Sequence, residues 1–130
     1  MILDAPSLLI TDDDRDFRET LREVFANRGF HTLLAKDGHE AVQIVRREQI
    51  HIVLLDMHMP RLSGIETIRR VKEVRAVVPC ILISAKLDDT LAEEARQADA
   101  FTSLSKPITL PEITQTVSQA MKLTYDWPAA

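Results

Sequence analysis

The sequence has little cysteine and no long apolar run, and each shortage excludes a class of protein. Cys80 is the only cysteine among the 130 residues, so an intrachain disulfide is excluded and a reducing compartment is expected. No apolar stretch approaches the roughly 20 residues that span a bilayer. Residues 1–7 lack the basic region and the apolar region of a signal peptide. We therefore expect a cytoplasmic protein that does not insert into a membrane.

An excess of basic residues is also missing. The chain has 16 Lys and Arg against 20 Asp and Glu, which gives a formal net charge of -4. Proteins that bind nucleic acid or a membrane surface directly usually carry a basic face, so neither activity is expected. The length is sufficient for one domain with a sizeable core.

Five short apolar runs alternate with five stretches of helical periodicity. The runs lie at 8–11, 30–35, 51–55, 79–83 and 100–104, and the last helical stretch runs from about 110 to 122. This alternation predicts βαβ units, and hence a parallel sheet with helices on both faces. The prediction is one domain over 1–122 and a short tail over 123–130. Trp127 in this tail either packs back on the domain or is disordered, and its terminal position favours disorder.

Polar side chains follow four of the five predicted strands. Asp12 and Asp13 follow the first strand, Asp56 the third, Ser84 the fourth, and Lys106 lies just after the fifth. In such sheets ligands bind outside the carboxyl ends of the strands, where the strand order reverses. The sequence therefore predicts a site there with three carboxylates, a hydroxyl and an ammonium group.

Carboxylates held together oppose folding unless a cation neutralises them. Oxygen ligands beside open water positions suit Mg²⁺, and such an ion makes Asp56 a usable nucleophile toward a phosphoryl group. Lys106 and Ser84 would then pair with phosphoryl oxygens. A flavin or nucleotide site fits poorly, because it needs a phosphate loop rich in Gly, Ser or Thr where this chain has aspartates.

Four segments resemble the signature blocks of bacterial response-regulator receivers, the CheY-like superfamily. They are Leu-Leu-Ile-Thr-Asp-Asp-Asp (8–14), Ile-Val-Leu-Leu-Asp-Met-His-Met-Pro (52–60), Ile-Leu-Ile-Ser-Ala (81–85) and Leu-Ser-Lys-Pro (104–107). They occur in the family's order and spacing over nearly the whole chain. The resemblance implies an α/β, flavodoxin-like (βα)5 fold, doubly wound, with a five-stranded parallel sheet of order 2-1-3-4-5.

The resemblance also implies a metal site and a phosphoacceptor. Asp56 would be the phosphoacceptor and a ligand of Mg²⁺, with Mn²⁺ as an alternative ion. Asp13 would be the more direct acidic ligand, Asp12 would act through water, and the backbone carbonyl of His58 would be the third protein ligand.

Further roles follow from the same resemblance. Ser84 would be the switch hydroxyl and Lys106 the phosphate-binding lysine, with a cis peptide between Lys106 and Pro107. His58 and Lys86 occupy the variable positions that tune dephosphorylation in this family.

The implied function is a phosphorylation-dependent signalling switch of a two-component system. The donor would be a phosphohistidine on a sensor histidine kinase or a histidine phosphotransfer protein. The chain would not be an enzyme, beyond assisting its own phosphoryl transfer and autodephosphorylation. Output would pass through the face of the fourth helix, fifth strand and fifth helix, to a downstream protein or to an output domain that this chain lacks. A homodimer through that face is a further expectation.

Two positions depart from the family pattern. Ser103 stands where an aromatic residue normally accompanies the switch hydroxyl, and Asp99 replaces the usual glycine of the preceding turn. Phe101 would share the strand face of Ser103 by period two and is a candidate replacement for the aromatic. The alternative function is therefore a receiver-like interaction module or phosphate sink with a damped switch.

Overall fold

The computed structural model describes residues 5–127, in which five parallel strands form one sheet. The strands are β1 (Ser7–Thr11), β2 (His31–Ala35), β3 (Ile52–Asp56), β4 (Cys80–Ser84) and β5 (Thr102–Ser105). Their spatial order is β2-β1-β3-β4-β5, which confirms the predicted fold and strand order. The order reverses between β1 and β3, so a crevice is expected at their carboxyl ends.

Each strand is followed by a helix. The helices are α1 (Arg15–Ala26), α2 (Gly38–Arg47), α3 (Gly64–Val74), α4 (Asp89–Gln97) and α5 (Leu110–Tyr125). A polar side chain accepts a hydrogen bond from a backbone N–H in the first turn of every one of them: Asp14, Asp37, Ser63, Asp88 and Thr109. These caps satisfy amide groups that have no partner inside the helix.

The core has two layers, one on each face of the sheet. Leu8 and Ile10 of β1 pack in the layer of α1 and α5, whereas Leu9 packs in the layer of α2, α3 and α4. This split follows from the alternation of side chains along a strand. β3 is buried over its whole length, as expected for the central strand of a doubly covered parallel sheet.

The carboxyl-terminal segment differs from the prediction. Helix α5 continues to Tyr125 rather than ending at 122, and the Trp127 ring lies 5.0 Å from the Phe30 ring, centroid to centroid. The Tyr125 hydroxyl donates to the backbone carbonyl of His51 at 2.7 Å. The expectation that Trp127 is disordered is therefore wrong, because the amino-terminal edge of the sheet offers it an aromatic contact. Residues 128–130 of the tail lie outside the described residues.

Within residues 5–127, no helix is both long enough and apolar enough to cross a membrane.

Candidate functional site

Strand register brings the predicted site residues to one edge of the sheet. Thr11 pairs with Leu55, so Asp12 and Asp56 follow neighbouring positions of β1 and β3. Ser84 pairs with Ser105, and Lys106 follows directly. The structure thus places all five predicted side chains at the carboxyl ends of the strands.

Three carboxylates form a cluster there. One oxygen each from Asp12, Asp13 and Asp56 lies within 4.8 Å of the others. Asp12 and Asp56 are 1% and 6% exposed, whereas Asp13 is exposed. Burial raises the pKa of Asp12, and the Asp56 charge adds to this, against the lowering effects of a hydrogen bond from the Asp14 amide and of Lys106. The cluster therefore holds more negative charge than its surroundings compensate.

Lys106 brings a cation to this cluster. Its Nζ lies 3.4 Å from Asp12 Oδ2 and 3.4 Å from Asp56 Oδ1. Burial lowers the pKa of Lys106, but attraction by Asp12 and Asp56 outweighs burial and the pKa is raised. The ammonium group also lies 4.8 Å from the centre of the Phe17 ring, within the range of a cation–π contact. Lys106 is thus held charged beside the carboxylates.

The donor set fits a hard divalent cation. Three carboxylates share the site with one ammonium group, so a negative charge remains. The pKa of Asp12 is raised mainly by burial and further by the Asp56 charge, and a bound cation would offset both effects. Mg²⁺ prefers oxygen ligands and is usually held by one or two carboxylates. Asp12, Asp13 and Asp56 can therefore hold such an ion, while the His58 carbonyl stays a predicted ligand.

The Ser84 hydroxyl lies beside His58. Ser84 is fully buried, its Oγ accepts from the Lys86 backbone amide at 3.1 Å, and His58 Nε2 lies 3.4 Å from the same oxygen. The structure thus brings the predicted switch residue, Ser84, into contact with both predicted tuning residues, His58 and Lys86. Lys86 takes part through its backbone, and its side chain is exposed.

Two backbone expectations are confirmed. The Lys106–Pro107 peptide is cis, and Asp99 has a φ of 67°, the left-handed conformation that a glycine would adopt more readily. The Lys72 ammonium lies 3.6 Å from the Asp99 carboxylate.

Ser103 borders an empty recess. It is half-buried on β5, and a cavity of about 190 Å³ lies beside it between α4 and β5, lined also by Ala92, Ala95, Arg96, Ala100, Phe101 and Thr102. Phe101 precedes β5 and packs against the layer of α1 and α5, whereas Leu82, the partner of Ser103 in register, lies in the opposite layer. Phe101 nevertheless lines the recess together with Ser103, and its role as a replacement for the aromatic stays a prediction.

Sequence reasoning missed two residues that shape the site. Phe17 packs against the core layer of α1 and α5, and its ring also lies against Lys106. Its place one turn after the aspartates was the available signal. A Cβ on Gly64 would lie 2.6 Å from the Asp56 carbonyl oxygen and 2.8 Å from Met57 Cα. Only glycine permits this approach of α3 to the end of β3.

Comparison with known proteins agrees with this geometry. A family model described as the response regulator receiver domain matches residues 8–118. The chain belongs to this family. Receivers are signalling domains of two-component systems rather than classical enzymes, they typically bind Mg²⁺, and their phosphorylation controls signalling.

Curated relatives cover the receiver at moderate identity. The chain is 34% identical over 116 residues to sporulation initiation phosphotransferase F of Bacillus subtilis, with 89% of this chain and 94% of that protein covered. It is 34% identical over 108 residues to response regulator MprA of Mycolicibacterium vanbaalenii, with 82% of this chain covered. The aligned region is 46% of MprA, so the receiver spans about half of that relative.

Solved receiver structures superpose closely. The receiver domain of the Francisella response regulator 1452 has a TM-score of 0.85 at 26% identity and covers 92% of this chain and 98% of that one. A CheY-like receiver protein from Methanospirillum hungatei has a TM-score of 0.90 at 16% identity, covering 94% and 98%. The second likeness shows the fold alone.

Proposed function

We propose that the chain is a phosphorylation-dependent switch in which Asp56 accepts a phosphoryl group from a phosphohistidine on a sensor histidine kinase or a phosphotransfer protein. One observation carries this proposal: Asp12, Asp13 and Asp56 converge within 4.8 Å, and Lys106 lies 3.4 Å from two of them. A convergence of nucleophile, acidic ligands and cation is what phosphoryl transfer requires, since it depends on positioning and charge stabilisation.

The residues divide the chemistry among them. An Asp56 carboxylate oxygen attacks phosphorus, the P–N bond breaks, and its electron pair stays on the donor imidazole. Lys106 pairs with one phosphoryl oxygen, and the Ser84 hydroxyl donates to another. Asp13, Asp56 and the His58 carbonyl would hold Mg²⁺ or Mn²⁺, with Asp12 acting through water. When bound, the ion neutralises charge on the phosphoryl oxygens.

A cleft leads to the site from the side of α1. It has a volume of about 490 Å³ and is lined by Asp14, Phe17, Ala85, Lys106, Pro107 and Ile108. A donor imidazole is small enough to enter a cleft of this size. We therefore assign donor docking to α1 and the loop at 107–110. We also propose that the phosphoryl exchange takes place in the cytoplasm.

Output passes through the face of α4, β5 and α5, to a downstream protein, an output domain or a second copy of the chain. His58 and Lys86 set the lifetime of the phosphoryl group.

The recess beside Ser103 favours a second candidate, a phosphate sink or interaction module with a damped switch, because no aromatic ring from β5 occupies it. A beryllofluoride complex distinguishes the two: unchanged NMR shifts across α4, β5 and α5 would favour the sink.

The test is the intact mass after incubation with acetyl phosphate and Mg²⁺. We expect one base-labile phosphoryl adduct on the wild type and none on Asp56→Asn. Asp16→Asn is the matched control, since Asp16 lies in the first turn of α1 and outside the cluster. A folded wild type without an adduct, or an adduct that persists in Asp56→Asn, would contradict the proposal.

A further inference from the structure

The Ser84 hydroxyl contacts the Lys86 backbone amide and the His58 ring. Its oxygen accepts a hydrogen bond from the Lys86 amide at 3.1 Å, and His58 Nε2 lies at 3.4 Å. In the described part of the chain these are its two hydrogen-bond contacts. The Lys86 amide occupies one lone pair of the oxygen. In the His58 tautomer whose Nε2 carries no proton, the hydroxyl donates its single proton to that nitrogen.

In that tautomer the contact conflicts with the role of Ser84 in the switch. In the proposed function the same proton has to reach a phosphoryl oxygen on Asp56. A hydroxyl has one proton, so Ser84 cannot donate to His58 and to the phosphoryl group at once. Phosphorylation therefore has to displace the contact with His58.

We propose that His58 accepts from Ser84 through an unprotonated Nε2, and that it is a positioning residue whose imidazole holds the Ser84 hydroxyl in its resting arrangement and so opposes the phosphorylated state. The inference rests on the proposed function and adds a residue that acts on the switch through Ser84. A contact made only in the resting state shifts the equilibrium toward that state by its own net free energy. One hydrogen bond then weakens binding of a phosphoryl mimic by about two- to tenfold.

The probe is beryllofluoride at saturating Mg²⁺, with affinity measured by NMR titration. We expect His58→Leu to bind it about two- to tenfold more tightly than the wild type. His58→Gln should bind beryllofluoride with an affinity between those of the wild type and His58→Leu, because the amide oxygen of glutamine accepts from a hydroxyl. His31→Leu is the matched control and should bind like the wild type, since His31 is exposed at the amino end of β2 and lies outside the site. Mg²⁺ affinity alone should stay equal, because all variants keep the residue 58 carbonyl.

A double-mutant cycle separates positioning from a direct effect on the phosphoryl group. In a Ser84→Ala background, His58→Leu should leave beryllofluoride affinity unchanged. An equal gain in beryllofluoride affinity from His58→Leu with and without Ser84 would overturn the inference. Unchanged or weaker beryllofluoride binding by His58→Leu in the wild-type background would also overturn it. A wild type that binds no beryllofluoride would instead count against the proposed function, so the two failures are distinguishable.

Discussion

Lys106 Nζ lies 3.4 Å from Asp56 Oδ1, although Lys106 follows β5 and Asp56 ends β3. These strands are not neighbours, so the lysine side chain reaches past the end of β4 to meet the carboxylate. The ammonium group is the countercharge already present where a phosphoryl oxygen is proposed to arrive. In the proposed function Lys106 would therefore both compete with a metal ion and pair with the phosphoryl group.

Lys106→Met should separate these two roles. Without the ammonium group the carboxylates repel one another more strongly, so Mg²⁺ affinity should rise by about three- to tenfold. Adduct formation from acetyl phosphate should slow by at least about tenfold, because a charge partner of the phosphoryl oxygens is lost. Isothermal titration and timed intact-mass measurements provide the two values. Lys122→Met, which removes an exposed ion-paired lysine, is the control; weaker Mg²⁺ binding by Lys106→Met would contradict the prediction.

Mg²⁺ should stabilise the fold by binding to the native state. At a concentration ten times its dissociation constant, the ion adds about 1.4 kcal/mol to the free energy of unfolding, which raises the melting temperature by about 5 °C. Asp13→Asn should remove most of this effect, and Asp16→Asn should keep it. Thermal melts with and without Mg²⁺ measure the difference. A melting temperature indifferent to Mg²⁺ would argue against an ion in this cluster.

His51 should make the stability depend on pH. Burial lowers the pKa of His51, and its Nδ1 accepts from the Ser7 amide at 2.9 Å, which only an unprotonated nitrogen can do. The unfolded chain therefore binds the proton more readily than the folded chain. The stability contributed by neutral His51 is full above the ordinary histidine pKa of about 6.5 and decreases as pH falls below it.

Urea unfolding at pH 7 and pH 5 tests this dependence. His51→Gln should lower the free energy of unfolding at pH 7 by about 1 kcal/mol, the typical net value of one hydrogen bond. Its free energy of unfolding should also decrease less than that of the wild type between pH 7 and pH 5. His31→Gln is the control because His31 is exposed. An equal pH dependence in the wild type and His51→Gln would assign the effect to other groups.

The segment at 123–127 should contribute to stability. Trp127→Ala removes a half-buried ring that contacts Phe30, so we expect a loss of about 1–2 kcal/mol in the free energy of unfolding. Leu123→Ala is the matched control, because Leu123 is 69% exposed and should change stability by less than about 0.5 kcal/mol. Equal losses in both variants would indicate a general effect on α5 rather than the contact with Phe30.

Most of the fold was readable in the sequence because local signals and hydrophobic period agreed along the chain. The buried run of β3, the caps Asp14 and Asp88 and the positive φ of Gly29 all follow from short-range chemistry. The end of α5 was not readable, because the partners of Tyr125 and Trp127 are His51 and Phe30, which lie far away in the chain.

The sequence by itself determined which chemical groups follow the strands, and therefore the family and the set of candidate site residues. Only the tertiary structure decided how these groups pair: Lys106 with Asp12 and Asp56, Ser84 with His58, and the Lys106 ammonium with the Phe17 ring. The reason is physical. Strand order and period set which residues share an edge, whereas side-chain pairing depends on register, burial and charge balance among residues distant in the chain.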